Sequence, residues 1–215
     1  MSTAQNASRL AVARQAAQLF LERGFSGTSG DDIAEACGLS KRTIWRYFRN
    51  KESCVAPLFD ISWQGFAQQL QRWPRSLSIE EYLGRCSQIT SYSPEDLVDK
   101  KLIIRMIATL TDEPDLRSIW LLSYHKGEEP MAAIIANRLD RSCNDFEVRL
   151  CASAVMVALR TVDETISLAA VRYGEAFTTA EVVAQMSRAI RALSNLPFCD
   201  PSEPRTFGHP AVEGQ

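Results

Sequence analysis

The stretch Ser29–Lys51, SGDDIAEACGLSKRTIWRYFRNK, decides the fold of this chain. It predicts two short helices, Asp31–Cys37 and Lys41–Tyr47, with a tight turn between them. Gly38 allows the backbone to adopt the left-handed conformation of such a turn, and Ser40 can cap the second helix. A helix, a three-residue turn and a second helix together predict a helix-turn-helix unit.

The second helix of this unit is basic and aromatic. Five basic residues occur without an acid between them: Lys41, Arg42, Arg46, Arg49 and Lys51. Trp45 and Tyr47 lie among these bases. This pattern is typical of a recognition helix that enters the major groove of DNA, although an ordinary solvated basic face is the alternative interpretation.

Helical spacing assigns separate roles to these residues. Ile44 and Phe48 are four residues apart, so they share one face and are expected to anchor the helix. Base contacts are expected from Arg42, Thr43 and Arg46. Phosphate contacts are expected from Lys41, Trp45, Tyr47 and Lys51, and from Thr28 and Ser29 at the start of the preceding helix.

The composition is that of a soluble globular protein, with 215 residues, 46% apolar and 23% charged. The overall net charge is −2, but it is unevenly distributed. Residues 1–60 carry 8 basic and 6 acidic residues, whereas residues 61–215 carry 16 and 20. A mildly basic N-terminal part on an acidic remainder favours contact with phosphates at one end only.

Several classes of protein find no support in the sequence. The six cysteines include no C-x-x-C pair and the two histidines are far apart, so neither a metal site nor a disulfide framework is expected. P-loop, G-x-S-x-G and H-E-x-x-H motifs are absent, so we predict no enzyme, catalytic residue or cofactor. The N-terminus lacks an apolar signal region and the longest uncharged apolar run is short, so a cytoplasmic protein without membrane contact is expected.

The remaining pattern predicts helices only. Their expected positions are 9–23, 51–72, 79–91, 93–110, 111–141 with a break near 127–130, 145–173 and 179–195. Pro57 is expected to kink the helix 51–72. Residues 197–215 contain four prolines and two glycines and are expected to be a disordered tail. The pattern therefore predicts an all-α chain, with three helices at 1–50 and about six at 51–196.

Residues 10–53 resemble the TetR family of bacterial transcriptional regulators. The residues that carry the resemblance are Ala16-Ala17-Gln18-Leu19-Phe20, Glu22-Arg23-Gly24-Phe25, Thr28, Asp32-Ile33-Ala34, Ala36, Gly38-Leu39-Ser40, Thr43-Ile44, Tyr47-Phe48 and Lys51-Glu52. The resemblance implies three DNA-binding helices followed by about six helices that bind a ligand and dimerise. Two residues depart from the family pattern, since Trp45 stands where Tyr is usual and Pro57 interrupts a helix that is usually unbroken. Residues 101–141 are similar to a subgroup that includes mycofactocin-associated regulators, which respond to long acyl-CoA thioesters.

The run at 145–172 is apolar on more than one helix face. A helix of this kind needs partners on two sides, so it is either a central core helix or part of a subunit interface. Together with 179–195 it predicts a four-helix bundle with a two-fold mate. A homodimer would place two recognition helices about 34 Å apart, one turn of DNA, which predicts a pseudo-palindromic operator.

Six residues are candidates to line an effector pocket: Trp63, Phe66, Arg105, Trp120, Tyr124 and His125. Core packing is the alternative for the aromatic residues. Arg105 follows an apolar run, so it would need an anionic partner if buried, and otherwise it is a solvated surface residue. The effector itself is unknown, with an apolar or acyl-CoA-type ligand indicated by the second resemblance.

The sequence therefore predicts a homodimeric DNA-binding regulator, a repressor that a small-molecule effector releases from its operator. Helix 51–72, with Pro57 as a hinge, is expected to couple the two functions because it joins them. The alternative is a helical small-molecule or lipid-binding protein whose N-terminal helices do not bind DNA.

Overall fold

The computed structural model describes residues 3–89 and 92–202. Within these residues the chain forms ten α-helices and two short 3₁₀ helices, and it forms no strand. The α-helices are α1 (Thr3–Arg23), α2 (Gly30–Ala36), α3 (Lys41–Tyr47), α4 (Ala56–Gln71), α5 (Ile79–Ile89), α6 (Pro94–Thr109), α7 (Pro114–Lys126), α8 (Glu128–Leu139), α9 (Phe146–Arg172) and α10 (Thr179–Leu193). This confirms the predicted all-α class.

Helices α1 to α3, which we call the head, form the predicted helix-turn-helix behind a longer first helix. Ser29 and Asp32 cap α2 reciprocally, since the Ser29 N–H donates to Asp32 Oδ2 at 2.7 Å and the Asp32 N–H donates to Ser29 Oγ at 3.2 Å. Gly38 has a φ of +63°, the left-handed conformation that the turn needs. Ile33 and Ile44 are fully buried and pack the two short helices together.

The connection from the head to the remaining helices, which we call the body, differs from the prediction. A 3₁₀ helix at Glu52–Val55 comes first, and α4 begins only at Ala56. Pro57 is therefore the second residue of α4, where a backbone N–H has no helical partner to lose. The predicted kink at Pro57 is wrong, because this proline lies in the first turn of its helix.

The body is organised around α9. This 27-residue helix packs against α6, α8 and α10, while α4 packs against α6, α7 and α8. The predicted break near residue 127 is confirmed, because Gly127 separates α7 from α8. No helix in the described part of the chain is long and apolar enough to cross a membrane.

The C-terminal segment corrects another prediction. Residues 197–202 are ordered, with Phe198 and Cys199 buried. Arg138 on α8 is itself buried and donates to the carbonyl oxygens of Phe198 at 2.8 Å and Asp200 at 3.0 Å. Its guanidinium also lies 3.4 Å from the centroid of the Trp73 ring. The predicted disordered tail is therefore wrong for residues 197–202, and its remainder, 203–215, lies outside the described residues.

Candidate nucleic-acid interface

The sequence of α3 fixes which of its faces meets solvent. Ser40 caps the helix by accepting a hydrogen bond from the Thr43 N–H at 3.2 Å. Ile44 and Phe48 are buried against the head, which confirms their predicted anchoring role. The remaining face carries Lys41, Arg42, Trp45 and Arg46, all exposed.

The arginines of this exposed face are not used by the fold. Arg42 makes no hydrogen bond or ion pair with any residue that the structure describes, and the same holds for Arg49. The Arg46 guanidinium lies over the Tyr47 ring, 5.2 Å from its centroid, and this cation–π contact uses none of its hydrogen-bond donors. A guanidinium presents five N–H donors in a planar fork, so this face can pair with base edges or phosphate oxygens.

Lys41 and Thr43 already have local partners. The Lys41 ammonium lies 2.6 Å from an Asp31 carboxylate oxygen, and both side chains are more than half exposed. An exposed pair of this kind is worth about 0–1 kcal/mol, so a phosphate can replace it at little cost. Thr43 is half-buried, with its Oγ1 2.9 Å from Ser40 Oγ.

Two of the residues predicted to contact phosphate make hydrogen bonds within the fold. Thr28 is 1% exposed, and its hydroxyl donates to Gly24 O at 2.9 Å, so the prediction that this hydroxyl binds phosphate is wrong. The Lys51 ammonium donates to Phe25 O at 2.6 Å and Thr28 O at 3.0 Å. Lys51 therefore fastens the α1–α2 loop. Ser29 is exposed, but it serves as the cap of α2.

Trp45 has a role that the sequence did not reveal. Its side chain is 38% exposed, and its ring lies so close to Gly30 that a Cβ at that position would overlap it. The indole thus packs across the start of α2 and helps to fix the angle between the two helices. A glycine at the first position of a helix was the only sequence signal for this contact.

This geometry agrees with a comparison of the sequence with known families. Residues 13–58 match the family model described as bacterial regulatory proteins, tetR family. The match covers most of the head, the 3₁₀ helix and the start of α4. The resemblance stated from residues 10–53 is thereby confirmed.

The similarity extends beyond the head. The chain is 25% identical over 164 residues to a protein of Mycobacterium tuberculosis described as a mycofactocin biosynthesis transcriptional regulator, MftR. That alignment covers 71% of this chain and 79% of MftR, so it includes part of the body as well. The prediction that the chain is not an enzyme agrees with these matches, since both are to regulatory proteins.

Solved structures show the same fold. Thermus thermophilus FadR, described as a TetR family transcriptional repressor in complex with lauroyl-CoA, aligns with a TM-score of 0.51 and 20% identity, covering 94% of this chain and all of that one. A TetR-family regulator from Rhodococcus sp. aligns with a TM-score of 0.53 and 16% identity, covering 87% and 98%. At this identity the likeness concerns the fold.

Three of the predicted effector residues, Trp63, Trp120 and Tyr124, lie in the core of the body or pack against it. Trp63 Nε1 donates to Ser123 Oγ at 3.2 Å, and Ser123 Oγ donates to Asp60 at 2.6 Å. The rings of Trp120 and Tyr124 meet edge to face at 5.5 Å. The Tyr124 hydroxyl donates to Asp163, and burial raises the pKa of the Asp163 carboxyl to about 6. We call Asp60, Trp63, Ser123, Tyr124 and Asp163 the polar cluster.

The other effector candidates lie elsewhere. Arg105 is exposed on α6, so the prediction that it lines a pocket is wrong and the solvated alternative is observed. His125 is also exposed, with its Nδ1 3.2 Å from Glu128 Oε1, and it does not face the cluster. Phe66 is half-buried and packs on the core.

Neither of two clefts in the described part of the chain contains a predicted effector residue. One, of about 340 Å³, lies between the head and the body, lined by residues that include Phe20, Phe25, Leu116 and Arg172. The other, of about 260 Å³, lies beside the C-terminal segment and includes Ser194 and Cys199. Among the described residues no group of three or more His, Cys, Asp or Glu side chains could hold a metal ion.

Proposed function

We propose that this chain is a ligand-responsive repressor that binds a pseudo-palindromic operator as a homodimer and leaves it when an effector binds. The observation that carries the proposal is that Arg42 and Arg46 are exposed, on a helix anchored by Ile44 and Phe48, and form no hydrogen bond or ion pair among the described residues. Two guanidiniums four residues apart are therefore available to bind another molecule. DNA is the partner that the match to bacterial regulatory proteins supports.

Within the proposed complex, some residues of α3 contact bases and others contact phosphates, according to their position on the helix. Arg42, Thr43 and Arg46 contact base edges, since arginine can pair with guanine through two hydrogen bonds. Lys41, Trp45 and Tyr47 flank them and contact phosphates, with Ser29 beside the backbone at the start of α2. Thr28 and Lys51 support this surface from behind through their bonds to the α1–α2 loop.

The proposed dimer interface is formed by α9 and α10. One face of α9 is apolar yet exposed, with Leu150 51% and Val157 46% accessible. Thr161 and Thr165 lie on the same side, and each donates its hydroxyl to a carbonyl one turn earlier, at 2.9 and 2.8 Å. Their hydroxyl groups are thus satisfied within the helix, so this face can be desolvated without leaving those hydroxyls unpaired. Leu193 on α10 adds a further exposed apolar side chain.

The proposed effector acts through the body. FadR of Thermus thermophilus is described in complex with lauroyl-CoA, which supports an apolar or acyl-CoA-type ligand here as well. The polar cluster joins α4, α7 and α9, and α4 leads directly to the head. An effector that prefers one arrangement of these helices would lower operator affinity by its differential binding. Such a protein acts in the cytoplasm, where operator DNA is found.

A salt titration on DNA tests the proposal. The full chain is mixed with a labelled fragment of the DNA upstream of its own gene, and the affinity is measured by fluorescence anisotropy. A protein that contacts several phosphates should lose about a thousandfold in affinity between roughly 50 and 200 mM salt. No binding at the lowest salt concentration would contradict the regulator and favour the helical ligand-binding protein.

A further inference from the structure

One ion pair joins the head to the body with a fixed geometry. Arg14 on α1 donates through Nε to Asp99 Oδ1 at 2.6 Å and through Nη2 to Asp99 Oδ2 at 2.7 Å. Asp99 on α6 is only 6% exposed, and a third of the Arg14 side chain is accessible. Two parallel hydrogen bonds between a planar guanidinium and a planar carboxylate fix both distance and orientation.

The other contacts between α1 and the body are mainly apolar. Helix α1 packs against the 3₁₀ helix 52–55, α4 and α6. Its buried side chains are Val12, Ala13, Ala16, Ala17, Leu19 and Phe20. Hydrophobic contact between such side chains is not directional, whereas the two hydrogen bonds of the ion pair are. The two-point ion pair is therefore the contact best suited to define the angle of the head.

The surroundings of Arg14 strengthen this contact. The hydrogen bonds that Arg14 donates to Asp99 raise the pKa of the Arg14 guanidinium, and the charges of Asp99, Glu95 and Asp96 raise it further. Asp96 already accepts from Ser93 in the capping box of α6, and Asp99 forms the direct contact with Arg14. Because Asp99 is buried, water screens the pair less than it screens an exposed one.

We propose that the Arg14–Asp99 pair is a positioning device that sets the angle of each head and thereby the half-site spacing that the dimer accepts. This inference rests on the proposed function, since spacing has meaning only for a dimer on an operator. Neither residue needs to touch DNA. Small rotations of a head about α1 would be magnified at α3, so loosening the pair would let the two recognition helices reach operators of several spacings.

The experiment compares spacing profiles. An operator is first selected from random DNA with the full-length wild-type protein, and affinities are then measured for versions whose half-sites are moved closer or further apart by one and by two base pairs. Asp99→Asn keeps the shape but removes the charge, and Arg14→Lys keeps the charge but removes the two-point geometry. If the two charge-assisted hydrogen bonds hold the head, the wild type should bind the best half-site spacing about tenfold more tightly than the other spacings. In both variants this ratio of affinities should fall to about threefold or less.

The matched control is Asp140→Asn. Asp140 accepts from Arg75 at 2.9 and 2.7 Å, so this change breaks a two-point pair of the same type with both ends in the body. It should leave the spacing profile as in the wild type. The preferred base sequence within a half-site should also stay unchanged in all variants, because α3 is not altered.

The outcomes separate the two proposals. If wild-type protein selects no DNA, the proposed function fails and the spacing role fails with it. If wild-type protein binds an operator but Asp99→Asn and Arg14→Lys keep its spacing profile, only the positioning role is overturned. A wild type that accepts all spacings equally, or an Asp140→Asn variant that loses spacing preference to the same extent, would also overturn it.

Discussion

The exposed face of α3 and the polar cluster of the body both contain charged and aromatic side chains. Those of the polar cluster hydrogen-bond to one another, whereas the arginines of α3 do not bond to carboxylates of the described residues. Arg42 and Arg46 meet no carboxylate among the described residues, and both reach solvent. In the polar cluster, Trp63, Ser123 and Asp60 bond one to the next, and Tyr124 bonds to Asp163. The difference indicates that the head keeps its donors for a partner, whereas the body uses its own polar groups for stability. Substitutions should therefore affect binding in the first region and folding in the second.

The largest effect is expected from removing both free arginines of α3. Each lost two-point base contact costs about 1–3 kcal/mol, so Arg42→Gln with Arg46→Gln should weaken operator binding by a hundredfold or more. The melting temperature should change little, because neither guanidinium has a hydrogen-bonding partner in the described fold. Anisotropy titrations and thermal unfolding measure the two quantities on the same sample.

The control for this double variant has the same charge change at exposed positions of the body. Arg85→Gln with Arg105→Gln removes two arginines that are accessible on α5 and α6. Operator affinity should fall by less than about fivefold, since long-range charge effects are screened within about 10 Å at 0.1 M salt. Equal losses in the two double variants would show that net charge, rather than the face of α3, determines binding.

Asp163 should make the body less stable as the pH rises. Burial raises the pKa of its carboxyl from 3.8 to about 6 in the folded chain. Between these values the folded state holds a proton that the unfolded state has released, so the free energy of unfolding falls as the pH rises from about 4 to about 6 and this contribution is constant above. A shift of about two units corresponds to about 3 kcal/mol.

Asp163→Asn removes this titration while keeping an acceptor for the Tyr124 hydroxyl. Relative to wild type, its free energy of unfolding should increase by about 3 kcal/mol between pH 4 and pH 7, measured by chemical denaturation. Asp115→Asn, at an exposed position on α7, serves as the control and should show no such trend. If the free energies of unfolding of wild type and Asp163→Asn differ by the same amount at both pH values, Asp163 is not desolvated in the fold.

A smaller effect is expected where the two helices of the DNA-binding unit touch. The Cβ of Gly30→Ala would overlap the Trp45 ring, so α2 and α3 must separate slightly. Overpacking of this kind typically costs about 1–3 kcal/mol, and operator affinity should fall with it as α3 tilts. In a Trp45→Ala background the same change should be nearly neutral, which thermal unfolding of the four proteins can check.

Gly65→Ala is the matched control for that cycle. Gly65 lies within α4, and a Cβ there meets nothing within 4 Å. Replacing a glycine in a helix interior by alanine should stabilise the protein by about 1 kcal/mol. If Gly30→Ala behaves like Gly65→Ala, Trp45 does not hold the angle between α2 and α3.

The sequence predicted the head more completely than the body because the head is specified by local signals. Caps at Ser29 and Ser40, the turn glycine Gly38 and the spacing of Ile44 and Phe48 each determine structure within a few residues. The pattern does not show that Thr28 and Lys51 bond to Gly24 and Phe25, because these partners lie in a loop whose path it does not give.

In the body, the helices were predicted but their mutual contacts were not. Arg105 follows an apolar run in the sequence, yet its direction depends on how α6 turns against α1 and α9, and it faces solvent. The pairing of Tyr124 with Asp163 joins residues 39 positions apart, which no periodicity shows. The Arg14–Asp99 pair spans 85 positions and has the same cause.

The smallest effect is expected from substituting Pro57. The sequence predicted a hinge at this residue, but in the structure it is the second residue of α4. At that position proline loses no helical hydrogen bond, so Pro57→Ala should change the free energy of unfolding by only about 0.5 kcal/mol, mostly through the unfolded chain. Operator affinity and its response to an effector should stay at wild-type values. A large change in operator affinity or in the effector response would support the hinge prediction. Unchanged values would indicate that contacts between α1 and α6, such as Arg14–Asp99, couple the body to the head.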